Sequence, residues 1–260
     1  MIELLLFSVF MVLVVRHRFY WLARQKQNLP RFMAHRGIKI QSPENTLSSF
    51  KEAVDAGFKA IELDILPTQD GTLVCSHNFD LERETNGMGW IHQKKLSGMN
   101  DVQTGIYSHE ANPQSIPTFS EALVTIPNSI FLNIEIKTHR LFDLSTARSL
   151  GQMIQENSIK HSFMVSSFNP IVVAYFRLMH PGVSVGYILQ DMKWLWVTHW
   201  IHPDFFHPRG DLVDEDILTM CHRHGLPLNI WTINARSAMD WCNRNGISSM
   251  ITDNPRAVHG

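Results

Sequence analysis

The sequence predicts an α/β fold organised around a parallel sheet, and three observations point to it. From Arg31 onward, short apolar strand-like runs alternate with segments of helical period. The strand-like runs end in acid, base or permanently charged side chains, as expected where strands deliver chemistry at their carboxyl ends. Finally, the 260 residues, less a hydrophobic leader of about thirty, approach the roughly 250 of a (β/α)8 barrel. One main domain over residues 30–260, preceded by a hydrophobic segment over 1–29, is the economical division.

The leader carries an apolar run from Leu4 to Val15, broken only by Ser8, then Arg16-His17-Arg18 and Phe19-Tyr20-Trp21-Leu22. Glu3 before the run and arginines after it are the reverse of a cleavable signal. The run falls short of the approximately 20 residues of a spanning helix, yet snorkelling arginines and the aromatic stretch would lengthen it. An uncleaved membrane anchor or interfacial helix is the favoured expectation, placing the protein at a membrane with its catalytic domain on the cytoplasmic side. The competing expectation is a helix packed across the bottom of the barrel.

Past Arg31-Phe32-Met33-Ala34, helical patterns cover Asn45–Ala56, Thr118–Thr125, Phe142–Asn157, Pro170–His180, Asp214–His224 and Arg236–Asn245. Glycine follows several of them (Gly57, Gly225, Gly246), a C-terminal stop signal. Strands are expected at Phe163–Ser167, Val183–Leu189, Asp204–His207, Leu228–Ile233 and Ser248–Thr252. Between about 80 and 116 no period is evident, and glycines and Pro113 recur, so this stretch reads as a functional insertion. Trp194-Leu195-Trp196-Val197-Thr198-His199-Trp200 is either a short helix burying tryptophan on the barrel or a lip touching lipid.

Two strand-like segments carry the chemistry. Ala60–Ile65 places Glu62 and Asp64 two residues apart, and Leu132–Lys137 does the same with Glu135 and Lys137. Strand side chains alternate, so each pair shares one face while Ile61, Leu63, Ile65, Ile134 and Ile136 take the other. Glu62, Asp64 and Glu135 suit a hard divalent cation, which prefers oxygen ligands. Arg36 and Lys137 would offset phosphate charge, and His35 and His77 are acid/base candidates. A net charge of −1 gives no electrostatic case for nucleic acid. Cys75, Cys221 and Cys242 have neither zinc nor redox spacing and fit buried thiols. His199, His202, His207, His222 and His224 read as solvated or capping side chains rather than metal ligands.

The ordered motifs His35-Arg36-Gly37, Glu44-Asn45-Thr46, Glu62-Leu63-Asp64, Thr68-Gln69-Asp70-Gly71, Ser76-His77, Glu135-Ile136-Lys137, Trp231-Thr232-Ile233-Asn234 and Thr252-Asp253-Asn254-Pro255 closely resemble the glycerophosphodiester phosphodiesterase family. The resemblance implies a TIM-type (β/α)8 barrel with an insertion after the second strand, and one divalent cation, Mg²⁺ or Ca²⁺, on Glu62, Asp64 and Glu135. It also implies catalysis by His35 and His77, with Arg36, Lys137 and Trp231 binding substrate and Glu44 and Asn45 supporting the site. The expected reaction converts a glycerophosphodiester to an alcohol and glycerol 3-phosphate. Two alternatives are lysophospholipase D action on membrane-derived lysophospholipids and a catalytically silent binding barrel. The latter is motivated by Asn78, which stands where the family usually has aspartate.

Overall fold

The computed structural model describes residues 2–24 and 28–259, so residues 1 and 25–27 of the expected leader lie outside the described residues. The helices are α1 (Ile2–Phe19), α2 (Leu47–Asp55), α3 (Phe119–Thr125), α4 (Ser145–Gln155), α5 (Pro170–Met179), α6 (Thr198–Ile201), α7 (Glu215–His224) and α8 (Arg236–Arg244). The strands are β1 (Phe32–His35), β2 (Ala60–Pro67), β3 (Leu73–Cys75), β4 (Gln103–Thr104), β5 (Gln114–Ser115), β6 (Phe131–Ile136), β7 (Phe163–Ser167), β8 (Val185–Leu189), β9 (Phe205–Pro208), β10 (Asn229–Ile230) and β11 (Ser249–Thr252).

Eight of these strands run parallel in the order β10-β11-β1-β2-β6-β7-β8-β9. The bridges Phe206↔Leu228 and Arg209↔Trp231 bring the ends together, which gives a nearly closed TIM-type barrel. Outward-facing Ile61, Leu63, Ile65, Leu132, Ile134 and Ile136 are buried with apolar side chains of the surrounding helices, such as Phe50, Phe119 and Leu150. Inward-facing Met33, Ala60, Phe131, Met164, Phe205 and Ile251 fill the barrel floor. The alternation read from the sequence thus divides two cores, and the mouth above the floor is left to polar side chains.

The helices start and stop within a few residues of their sequence signals. Thr46 caps α2, accepting from Ser49 N while the Ser49 hydroxyl accepts from Thr46 N, and Gly225 ends α7 in the left-handed region. The insertion is ordered. After β2 the chain doubles back as antiparallel β3, and the following residues form two 3-10 turns and the β4-β5 pair. These fold over their own small core of Leu66, Val74, Leu81, Ile91, Met99 and Val102.

The leader departs from expectation. Among the described residues no helix is long and apolar enough to cross a membrane, which overturns the expected anchor and with it the membrane placement. Glu3 occupies the first turn of α1 and Arg16, His17 and Arg18 the last. The apolar stretch between them rises only about 18 Å at 1.5 Å per residue, against a hydrocarbon core of about 30 Å. Nor does α1 lie across the barrel, because Leu4, Leu5 and Phe10 are exposed. What docks is its last turn, through His17 beside His202 at 4.1 Å between ring centroids, and the segment that follows. Trp21 is buried and stacks between His202 and His224, with ring centroids 4.7 and 4.3 Å away. His224 Nδ1 meets the Trp21 carbonyl at 2.8 Å, and Asp204 pairs with both Arg24 and Arg177.

The tryptophan-rich segment is the crossover between β8 and β9, wound as a 3-10 turn followed by the single turn α6. Trp194, Trp196 and Trp200 remain substantially exposed, and the Trp200 carbonyl meets His17 at 3.2 Å. The expectation of tryptophans buried on the barrel does not hold.

Trp21→Ala is expected to destabilise the protein by about 3 kcal/mol, the usual cost of removing a buried tryptophan, measured by urea unfolding. Truncation of residues 2–15 should cost far less. Burial first, and then His17, push His202 down to about 4, below the ordinary histidine value. The unfolded chain therefore takes up this proton first, and the clasp should weaken as pH falls from about 6.5 to about 4. Amide exchange across residues 17–24 reads the change.

Candidate active site

The first strand ends in a turn that only this sequence pattern permits. Arg36 and Gly37 both have positive φ, 59° and 78°, and a Cβ on Gly37 would fall 2.6 Å from the Ser49 backbone, so glycine is required there. The turn aims the Arg36 N–H at the Glu62 carbonyl (2.9 Å) and at Glu62 Oε2 (3.1 Å). The Arg36 side chain reaches Glu44 Oε1 at 2.7 Å and Asp64 Oδ2 at 3.1 Å. Asn45 stands just before α2, whose cap is Thr46. The Asn45 amide donates to Asp64 Oδ2 (2.8 Å) and its carbonyl oxygen accepts from Asp64 N (3.1 Å). Glu44 and Asn45 thus fix, respectively, a cation and a carboxylate.

The β2-β6 register pairs Asp64 with Glu135 and Glu62 with Asn133. This brings one carboxylate oxygen from each of Glu62, Asp64 and Glu135 within 4.8 Å of the others, all three residues buried. Lys137 Nζ lies 2.9 Å from Glu135 and 3.5 Å from Asp64. Burial, then repulsion by Asp64 and Glu135, raises the Glu62 carboxyl well above its ordinary value. Burial likewise raises Glu135 despite Lys137. At Asp64 burial is outweighed by Lys137 and Arg36, which hold it down at about 2. Glu62 Oε1 and Asp64 Oδ1 have no hydrogen-bond partner among the described residues. Hard oxygen donors, converging and under-satisfied, fit a divalent cation.

Both histidines line the same cleft, of about 370 Å³, together with Arg36, Lys137 and Trp231. His77 lies just past β3 rather than on a barrel strand. Burial and Lys137 push it down to about 4, so its imidazole is neutral at neutral pH. His35 Nδ1 pairs with Asp253 Oδ1 at 2.9 Å, which leaves Nε2 for the cleft. Asp253 is held in turn by Asn234 (3.1 Å) and Lys39 (3.0 Å). In the sequence reading Asn234 and Asp253 stood only as members of the Trp231–Asn234 and Thr252–Pro255 motifs, without an assigned contact, and Lys39 did not figure. The available signal was that β11 must lie beside β1 in a closed barrel, with Ala34 opposite Thr252. Asn78 is hydrogen-bonded to Glu84, so an aspartate there would set two carboxyls together. Trp231 Nε1 donates to the His207 carbonyl (2.8 Å), and its ring meets Phe168 edge-on at 5.6 Å.

A TIM-type barrel that gathers three carboxylates, two cations and two imidazoles at the carboxyl ends of its strands defines a phosphoric diester hydrolase. More narrowly, the chain belongs to the glycerophosphoryl diester phosphodiesterase family, whose sequence profile matches residues 35–257. It is 30% identical over 235 residues to a glycerophosphodiester phosphodiesterase of Caldanaerobacter subterraneus, covering 87% of this chain and 95% of that one. A human glycerophosphodiester phosphodiesterase 1 is 25% identical over 260 residues, covering 85% and 77%. Among solved structures, an Oleispira antarctica phosphodiesterase in complex with the product sn-glycerol-3-phosphate superposes with a TM-score of 0.79 at 25% identity, covering 89% of this chain and 96% of that one. A glycerophosphodiester phosphodiesterase of Thermotoga maritima gives 0.70 at 22% identity, over 90% and 99%.

The raised pKa values carry a sign. Above about pH 4.5 the unfolded chain ionises its glutamates while folded Glu62 and Glu135 resist, so this pair subtracts stability as pH rises. A cation on the cluster removes that cost. Mg²⁺ or Ca²⁺ should therefore raise the melting temperature little at pH 5 and progressively more toward pH 8, and Glu62→Gln should flatten the trend.

Proposed function

We propose that the chain hydrolyses glycerophosphodiesters to glycerol 3-phosphate and a free alcohol, using Glu62, Asp64 and Glu135 to hold a divalent cation and His35 and His77 for proton transfer. The observation that carries this reading is the convergence of the three carboxylate oxygens within 4.8 Å in a cleft lined by both imidazoles. The glycerol 3-phosphate product bound to the Oleispira relative supports the substrate class. When bound, Mg²⁺ or Ca²⁺ would supply positive charge to the phosphate oxygens.

The chain's own residues account for the remaining work. Arg36 and Lys137, both held in their charged forms by the surrounding carboxylates, bind the non-bridging oxygens and stabilise charge as phosphorus becomes five-coordinate. Neutral His77 takes the proton of the attacking oxygen. As the bond from phosphorus to the alcohol oxygen breaks, His35 delivers a proton from Nε2 to that oxygen. The Asp253 carboxylate on Nδ1 fixes the His35 tautomer and supports its imidazolium. Trp231 and Phe168 form an apolar wall of the cleft.

Lysophospholipid turnover drew on the leader and the tryptophan-rich crossover, and none of Trp194, Trp196 and Trp200 lines the cleft. The soluble diester is therefore the substrate we favour. Purified protein incubated with glycerophosphocholine and Mg²⁺ or Ca²⁺ should release glycerol 3-phosphate, and a chelator should abolish release. Absence of turnover with metal present would refute the assignment.

Glu135→Gln should lower the rate at least a hundredfold at micromolar metal and recover partly in excess metal. His35→Ala and His77→Ala should each cost roughly 10²- to 10⁴-fold in kcat while keeping the metal-induced thermal shift. Asp253→Asn is expected to cost about 10- to 100-fold, the usual toll of losing a carboxylate behind a functional imidazole.

A further inference from the structure

Helix α1 carries a surface that the rest of the molecule leaves uncovered. Ten large apolar side chains between Leu4 and Val15 are 42–74% exposed. A helix completes a turn every 3.6 residues, so Leu4 to Phe7 already circle the axis and no side of α1 is polar. At these exposures the patch is on the order of 1,000 Å², against the few hundred Å² of the largest patch on a typical monomer. A patch of that size marks an interaction site, and it can supply the roughly 800 Å² per partner of a stable interface.

Shape and charge indicate what covers it. The apolar stretch is too short to span a bilayer, and a helix lying in a bilayer surface needs a polar face on its water side, which α1 lacks. A protein partner can enclose it from more than one side. Glu3 lies in the first turn and Arg16, His17 and Arg18 in the last. Glu3 and Arg16 are exposed, and Arg18 Nε is buried with no hydrogen-bond partner among the described residues. A second α1 laid antiparallel sets the Glu3 of each chain beside the Arg16 and Arg18 of the other, whereas a parallel pair would set like charges together. Ser8, the polar residue within the run, donates its hydroxyl to the Leu4 carbonyl (2.8 Å), so it brings no unpaired group into the contact.

The antiparallel arrangement also accounts for the exposed tryptophans. Trp200 meets the last turn of α1, its carbonyl 3.2 Å from His17 and its ring centroid 5.8 Å from the imidazole, and Trp196 precedes it on the same exposed crossover. The first turn of the second helix, opposite Arg16 and Arg18, arrives beside these rings.

We propose that α1 is a self-association helix: two copies of the chain pair through antiparallel α1 helices about a two-fold axis near Phe10, with the tip of each helix against the other's tryptophan crossover. Such a contact is isologous, so each interaction occurs twice and the assembly closes at two.

Sedimentation equilibrium of the intact chain in detergent-free buffer tests this. A mass of twice 29.9 kDa at micromolar concentration is the expected result. The chain lacking residues 2–15, whose barrel should remain folded, is expected to sediment as a monomer. Glu3→Arg should weaken the dimer at least tenfold at low salt, because symmetry places the like-charge contact at both ends, and adding Arg16→Glu and Arg18→Glu should restore it. A monomeric intact chain would overturn the proposal, as would a dimer that survives the deletion or ignores the charge reversal. Flotation of the monomer with phosphatidylcholine vesicles would show that lipid covers the helix instead, and the proposal would fall. Circular dichroism of each variant separates lost pairing from lost folding, and if the triple variant fails to fold, the deletion and Glu3→Arg still decide.

Discussion

The site depends on charge compensation in a place with little water. Three carboxylates at the mouth of the barrel face two neighbouring cations, Arg36 and Lys137. Burying an ion costs several kcal/mol unless it is paired, and the pairing here is uneven. Asp64 receives both cations and an amide from Asn45, and stays ionised. Glu135 shares Lys137. Glu62 has the Arg36 N–H and little else, so the unrelieved repulsion is concentrated on it. A polypeptide tolerates such an arrangement when something else supplies the missing positive charge. The cluster is therefore costly for the empty protein and suited to a cation with phosphate, the stability sacrifice expected at functional sites.

The barrel supplies the rigidity that this imbalance needs. Glu62, Asp64 and Glu135 stand on paired central strands, and the hydrogen-bonded register sets their separation. His35 and Arg36 come from the neighbouring strand end, where Gly37 lets the chain turn tightly over α2. His77 comes from a different kind of element, the antiparallel return β3 that leads into the insertion. The insertion has its own small core, against which Phe79 packs, while Leu73 and Cys75 of β3 pack into the main core beside helix residues such as Phe119 and Leu150, so both cores hold His77 and Phe79 at the cleft.

Much of this was legible in the sequence because it is periodic or local. The alternation of Glu62 and Asp64 with Ile61, Leu63 and Ile65 told which face each acid takes, and helix boundaries followed within a few residues from Thr118, Gly57, Gly225 and their neighbours. Contacts set by barrel closure were not legible. His35 and Asp253 are 218 positions apart and meet only because β11 pairs with β1. The sequence reading looked for a carboxylate partner beside His77, at position 78, whereas the structure puts one behind His35. The leader misled through composition alone. An apolar run flanked by arginines suits a membrane, but charges at both ends of α1 leave too short a span, and Trp21 ties the chain to His202 and His224 at the barrel.

The central claim is that Glu62, Asp64 and Glu135 form a cation site strained by its own charge. Calorimetric titration of Mg²⁺ or Ca²⁺ near pH 6, repeated in buffers of different ionisation enthalpy, tests it most directly because ligands must deprotonate to bind. Saturable binding with release of protons, lost in Glu62→Gln, is the predicted result. Binding without proton release, or no binding by a folded protein, would contradict the claim.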